Sequence, residues 1–145
     1  MVKVLGHVVL RVRDLERSLR FYRDALGLRE VARHEGRMAF LGAGEKHHDV
    51  ALMQVGAEAP APPPNGIGLY HLAFKVGDSL GELRAARDRL EAAGYPVLQA
   101  KEHTVSQSLY LEDPDGLAVE LYVDADPRVW RENPAAVASG SPLSL

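Results

Sequence analysis

The sequence predicts an α+β fold of two βαβββ modules, on three observations. An offset of 64 residues carries His7 onto His71, Val12 onto Val76, Asp14 onto Asp78, Leu19 onto Leu83, and Arg23-Asp24-x-Leu26 onto Arg87-Asp88-x-Leu90, a register that chance rarely produces. Within each copy the hydrophobic pattern passes from a short apolar run to helical spacing and back to short runs. Between the copies lies Ala57–Asn65, rich in Pro and Ala, with no periodicity and with prolines that lack a donor N–H.

Module one spans residues 4–56. It opens with about six apolar-rich residues of strand character around His7, and Asp14 stands where a helix N-cap belongs, its carboxylate able to accept unpaired backbone N–H groups. Leu15, Leu19, Tyr22 and Leu26 follow at spacings of three or four, predicting an amphipathic helix that Gly27 stops. Leu28–His34, Arg37–Leu41 and Asp49–Val55 read as strands, with Gly42-Ala43-Gly44 turning into the last. After a linker over 57–66, module two repeats the plan over 67–123. Its first strand opens at His71, Asp78 is the expected N-cap, and Leu83, Ala86, Leu90 and Ala93 form the buried stripe of a helix ending at Gly94-Tyr95-Pro96. Val97–Lys101, Ser106–Leu111 and Ala118–Val123 are its later strands, with Asp113-Pro114-Asp115-Gly116 as the turn. Residues 1–124 are expected to form a single domain sharing one core, because modules of about sixty residues are marginal alone. Residues 125–145 form a C-terminal tail.

Composition bounds the function. With 145 residues, 46% hydrophobic content and a net charge of −3, the chain can bury one core and offers no basic cluster for nucleic acid. No apolar stretch approaches a membrane span and the amino terminus lacks a secretory apolar region, so the expected compartment is cytoplasmic, with no membrane partner. There is no cysteine, which leaves only nitrogen and oxygen donors for any metal.

A lone strand histidine is usually a hydrogen-bonded structural group. The equivalence of His7 and His71 argues otherwise, since pseudo-symmetry in a duplicated fold sets first-strand positions facing each other across the seam. Glu120 lies between Val119 and Leu121 and shares its strand face with Ala118 and Tyr122; a carboxylate on an inward face needs a cation. His7, His71 and Glu120 are therefore the candidate metal ligands, and His48, His103 and Tyr110 the candidates for proton chemistry beside them. His47 and His48 are adjacent, so on an extended strand only one faces inward, and parity does not choose between them. His34 is assigned no role.

The duplicated pattern, His7, His71, the Asp113-Pro114-Asp115-Gly116 turn and Glu120 resemble the vicinal oxygen chelate superfamily, which includes glyoxalase I, fosfomycin- and bleomycin-resistance proteins and type I extradiol dioxygenases. The resemblance covers Val4 to Val123 and implies a half-open barrel of curved four-stranded modules around a metal, the glyoxalase/bleomycin-resistance/dioxygenase fold. Glyoxalase I and the fosfomycin-modifying enzymes imply a further ligand around Ala51-Leu52-Met53, which those residues cannot supply. The His47-His48-x-x-Ala51-Leu52 run is instead similar to the segment carrying the active-site histidine of extradiol catechol dioxygenases, and His48 matches that residue. His103 and Tyr110 resemble their second histidine and tyrosine, here at a shorter spacing.

The resemblance thus implies an Fe(II)-dependent dioxygenase that cleaves a catechol ring beside the diol and inserts both atoms of dioxygen. His48 would act as base and then acid, while His103 and Tyr110 would hydrogen-bond the substrate oxygens. Two imidazoles and one carboxylate make a facial set with open positions, and the charge of iron with one Glu is neutralised by a monoanionic catecholate. The alternatives are a glyoxalase-like lyase or isomerase using Mn(II), Ni(II) or Zn(II), with Gln54 or a water as the missing ligand, and a metal-free bleomycin-resistance-type binding protein. A homodimer or higher assembly is expected. In the tail, Pro127–Trp130 is expected to pack near the pocket mouth or a partner subunit as a lid. Ala138–Leu145 is expected to be mobile or docked only through Pro142-Leu143, so that truncation after Asn133 would be silent.

Overall fold

The computed structural model describes residues 1–145 and resolves two compact units, residues 1–63 and 64–145, dividing within the proline-rich linker. Each unit is a βαβββ module. In the first, β1 (Val8–Val12) leads through α1 (Leu15–Leu19, continuing as Arg20–Ala25) to β2 (Arg29–His34), β3 (Met38–Gly42) and β4 (Val50–Gln54). In the second, β5 (His71–Gly77) is followed by α2 (Leu80–Ala92), β6 (Gln99–Glu102), β7 (Ser106–Glu112) and β8 (Ala118–Asp124). The tail then forms α3 (Pro127–Glu132), a 3-10 turn (Pro134–Ala138) and a short β9 (Ser141–Pro142). No helix is long and apolar enough to cross a membrane.

In unit 1 the strand order is β1-β4-β3-β2, with β1 parallel to β4 and the other pairs antiparallel. Leu10, Val12, Ala39, Leu41 and Leu52 bury one face against α1, leaving Val9 and Arg11 on the other. Asp14 caps α1 as expected, its Oδ1 accepting from Arg17 N at 2.7 Å. The helix departs from the expected stripe. Beyond Leu19 its bonds lengthen to i→i+5, as in Leu26 N to Phe21 O at 2.9 Å, and the widened turns bury adjacent Phe21 and Tyr22 together with Ala25. Leu26, expected in the stripe, is only half-buried.

Unit 2 has the order β5-β8-β7-β6-β9, with β5 parallel to β8. Leu83 and Leu90 of α2 pack on the sheet face formed by Leu109, Leu111, Val119, Leu121 and Val123. The N-cap is Ser79, one residue beyond the expected Asp78. Ser79 Oγ accepts from Glu82 N, and the Glu82 carboxylate accepts in return from Asp78 N at 2.9 Å and Ser79 Oγ at 2.8 Å. This reciprocal capping box outcompetes Asp78, whose carboxylate pairs with Lys75 at 2.6 Å instead. A Cβ at Gly77 would stand 2.7 Å from Glu82 Cβ, so the return of Glu82 requires glycine there.

Candidate active site

In unit 1 the sequence-predicted groups gather just outside the strands. His7 lies one residue before β1 and shares the parity of Val9 and Arg11, the face turned away from the core. The loop over 43–49 is fixed by its own contacts: Asp49 Oδ2 accepts from Ala43 N at 2.9 Å, Val8 N donates to Asp49 O at 3.0 Å, and Lys46 Nζ reaches Leu5 O at 3.2 Å. Ala43 N–H first, then Lys46, hold the Asp49 carboxyl below its ordinary value. The loop sets the His48 ring 4.3 Å from the His7 ring and edge-on to Phe40 at 5.3 Å.

His47 departs from expectation. Residues 44–47 bend rather than extend, so alternation does not apply, and His47 Nδ1 lies 2.6 Å from His48 Nδ1. The Gly42-Ala43-Gly44 turn immediately upstream was the available signal. Desolvation, then the neighbouring His7 and His47, lower the His48 pKa, against a smaller opposing effect of Asp49. His48 is accordingly a neutral imidazole at pH 7. Gln54 is not free to ligate: its Oε1 accepts from Leu15 N at 2.9 Å at the start of α1.

In unit 2 the open sheet face carries the rest. Glu120 follows the expected parity, opposite to Val119 and Leu121, and its register partners are Ala73 on β5 and Tyr110 on β7. The small Ala73 leaves room for His71, at the mouth of β5, to reach diagonally across, bringing His71 Nε2 to 3.0 Å from Glu120 Oε2. His71 Nδ1 is buried with no partner. Tyr110, the register partner of Glu120, has its hydroxyl 2.7 Å from His103 Nε2, while His103 Nδ1 lies 2.9 Å from Ser139 O. Burial, then the Glu120 charge, push the Tyr110 hydroxyl up to about 12, so it stays protonated at neutral pH.

No group of three His, Asp or Glu side chains is gathered so as to hold an ion. The donor chemistry nevertheless fits a divalent metal. A converging imidazole and carboxylate with no sulfur nearby suit Fe(II), Mn(II), Ni(II) or Zn(II).

Past Glu120 on the same face, Tyr122 and Asp124 floor a cavity of about 590 Å³ that Trp130, Arg131, Pro134 and Val137 wall on the tail side. Of the segment Pro127–Trp130, Trp130 alone lines this cavity, within unit 2. The segment expected to be mobile is docked: β9 pairs with β6, Leu143 N donates to Ala100 O at 3.1 Å, and Ser139 meets His103. Main-chain hydrogen bonding along the edge of β6 replaces the apolar contact that Pro142-Leu143 was expected to supply. Neither Ser139 nor the cavity left a sequence signal, because both arise where the tail folds back on its sheet.

Comparison with known proteins follows the same lines. The chain is 35% identical over 129 residues to a catechol-2,3-dioxygenase of Bacillus subtilis, covering 89% of this chain and 44% of that protein. It is 37% identical over 124 residues to biphenyl-2,3-diol 1,2-dioxygenase 3 of Rhodococcus globerulus, covering 83% and 63%. The chain thus spans roughly half the length of these dioxygenases. The crystal structure of a lactoylglutathione lyase from Agrobacterium tumefaciens superposes with a TM-score of 0.64 at 27% identity, covering 84% of this chain and 94% of that one. The sequence model of the Glyoxalase/Bleomycin resistance protein/Dioxygenase superfamily matches residues 4–121, and the chain belongs to that superfamily.

Proposed function

We propose that the protein is an extradiol dioxygenase, cleaving a catechol beside its diol with incorporation of both oxygen atoms of dioxygen, and that His7, His71 and Glu120 hold Fe(II). The observation that carries this reading is the row of polar groups on the open face of unit 2, where Glu120 meets His71 and its register partner Tyr110 meets His103. Such a row suits a substrate with two vicinal oxygens. When bound, Fe(II) supplies the redox coupling between dioxygen and the electron-rich ring that Zn(II) lacks.

The chain's own groups have separable roles. His48, neutral because its pKa is lowered, accepts the proton of a substrate hydroxyl and returns it as the ring opens. Tyr110 stays protonated, and its hydroxyl oxygen accepts from a substrate hydroxyl and orients the ring. His103 Nε2 accepts the hydrogen bond of the Tyr110 hydroxyl and so keeps it aimed. The cavity floored by Tyr122 and walled by Trp130 is apolar and large enough for ring substituents. As partners we propose a small-molecule catechol, dioxygen and a second copy of the chain as a homodimer, the last to be read by sedimentation.

A metal-dependent lyase or isomerase is the second reading, favoured by the 94% coverage of the lyase structure against 44% of the first dioxygenase. Against it, β4 offers no further ligand, since Gln54 is committed to Leu15 N. Anaerobic purification with metal analysis, then oxygen uptake with catechol set against isomerisation of a glutathione hemithioacetal, decides between them. One dioxygen consumed per ring opened, by an iron-loaded protein, is the expected result. Hemithioacetal turnover without oxygen uptake overturns the dioxygenase reading.

A further inference from the structure

We propose that the C-terminal tail is a positioning device: the Ser139 carbonyl holds His103 protonated at Nδ1, so that its Nε2 faces Tyr110 as a bare acceptor. A carbonyl oxygen only accepts, so His103 Nδ1, 2.9 Å from Ser139 O, is the protonated nitrogen. In the neutral ring Nε2 then carries the lone pair, and at 2.7 Å it accepts from the Tyr110 hydroxyl. The other neutral tautomer would set an N–H against the Tyr110 hydroxyl and a lone pair against the carbonyl. The tail excludes it.

The clasp is built from several independent contacts. Ser139 Oγ lies 3.0 Å from His103 O, 2.7 Å from Ala136 O and 2.6 Å from Thr104 Oγ1, tying the tail to the turn that carries the histidine. That turn is itself strained. Thr104, a β-branched residue, has φ 64, and its N–H is held by Glu102 Oε1 at 3.0 Å. A Cβ at Gly140 would stand 3.1 Å from His103 Nδ1 and 3.3 Å from Cε1, so glycine lets the tail backbone lie against the ring. Downstream, β9 pairs with β6 through Lys101↔Pro142 and Glu102↔Ser141, and Arg87 Nη1 donates to Leu145 O at 3.1 Å. Every tail residue in the clasp lies beyond the stretch 4–121 that the superfamily model matches.

The inference rests on the proposed role of His103 beside Tyr110, but its test does not need turnover. Protein labelled with 15N at histidine is observed by long-range 1H–15N correlation near pH 8, with His103 assigned from a His103→Gln difference spectrum. The intact chain should show the Nδ1–H form. A chain truncated after Asn133 should shift toward the Nε2–H form that free histidine favours. Gly140→Ala, which presses on the ring without removing the tail, should displace the same signals while amide resonances of α2 and β7 stay in place. If the Nδ1–H pattern persists in the truncated chain, or in Gly140→Ala should truncation unfold the protein, the tail does not set the tautomer and the proposal is overturned. In the iron-loaded protein, the same variants should lower kcat by roughly ten- to a hundredfold with little change in KM, the scale of losing an orienting partner. An intact chain with the Nδ1–H signal but no ring cleavage would fail the dioxygenase reading and leave the clasp standing.

Discussion

At Tyr110 the one hydroxyl proton goes to Nε2 of His103. Burial and the Glu120 charge raise the Tyr110 pKa and keep that proton on the hydroxyl at neutral pH. His48 is tuned in the opposite sense, its lowered pKa keeping a lone pair free. From this pairing we expect His48→Gln to retain iron and bind catechol while turnover falls by roughly two to four orders of magnitude. Because His47 Nδ1 touches His48 Nδ1, His47→Gln should cost about tenfold, as loss of an orienting neighbour does. Turnover and iron content measured on both variants check this, and a fully active His48→Gln enzyme would remove His48 from the chemistry. The strand placements of His71 and Glu120 were legible in the sequence, the first from the repeat and the second from parity with its neighbours. His47 was not, since alternation was applied to a loop, and a loop's direction depends on where Asp49 and Lys46 find partners.

At the scale of elements, α2 shows how closely spaced caps compete. Ser79 and Glu82 satisfy each other's backbone donors, and Asp78 goes to Lys75. Ser79→Ala should therefore lower the free energy of unfolding by about 1 kcal/mol and Asp78→Ala by clearly less, measured by denaturant titration. Equal losses would return the cap to Asp78. On β2, where the strand register shifts between Glu30 and Ala32, Glu30 is paired with Arg33 and, at 2.7 Å, with Arg23 of α1. Arg33 first, then Arg23, hold its carboxyl below the ordinary value. A depressed folded-state pKa gives stability that is complete above the unfolded value and is lost as pH falls through the folded one. Wild type should therefore lose more Tm than Glu30→Gln between about pH 5 and about pH 3. The difference should be on the order of 1 kcal/mol or less, because the arginines are partly solvated. Parallel melting curves for the two proteins would show that this pair stabilises nothing.

At the scale of the whole molecule, a metal that binds the folded chain and not the unfolded one raises the melting temperature by mass action. Fe(II) added anaerobically at a hundredfold over its dissociation constant should contribute about 2.7 kcal/mol, a rise of roughly 5–10 °C at this chain length. Glu120→Ala should fold and lose that rise, while His34→Ala should keep it. An undiminished rise in Glu120→Ala would place the metal elsewhere. What the sequence by itself determined is whatever depends on short range. The 64-residue repeat, the alternation around Glu120, the Asp14 cap and the proline-rich boundary are set by neighbours a few residues apart or by duplication, and all can be read without coordinates. Tertiary structure decided the rest. The widened turns of α1 follow from burying Phe21 and Tyr22 together, and Gln54 is taken by a helix start 39 residues away. The tautomer of His103 is set by a carbonyl 36 residues downstream, which meets it only because β9 finds the open edge of β6. Edge pairing is made by backbone groups that every residue carries, so no local pattern of side chains announces it.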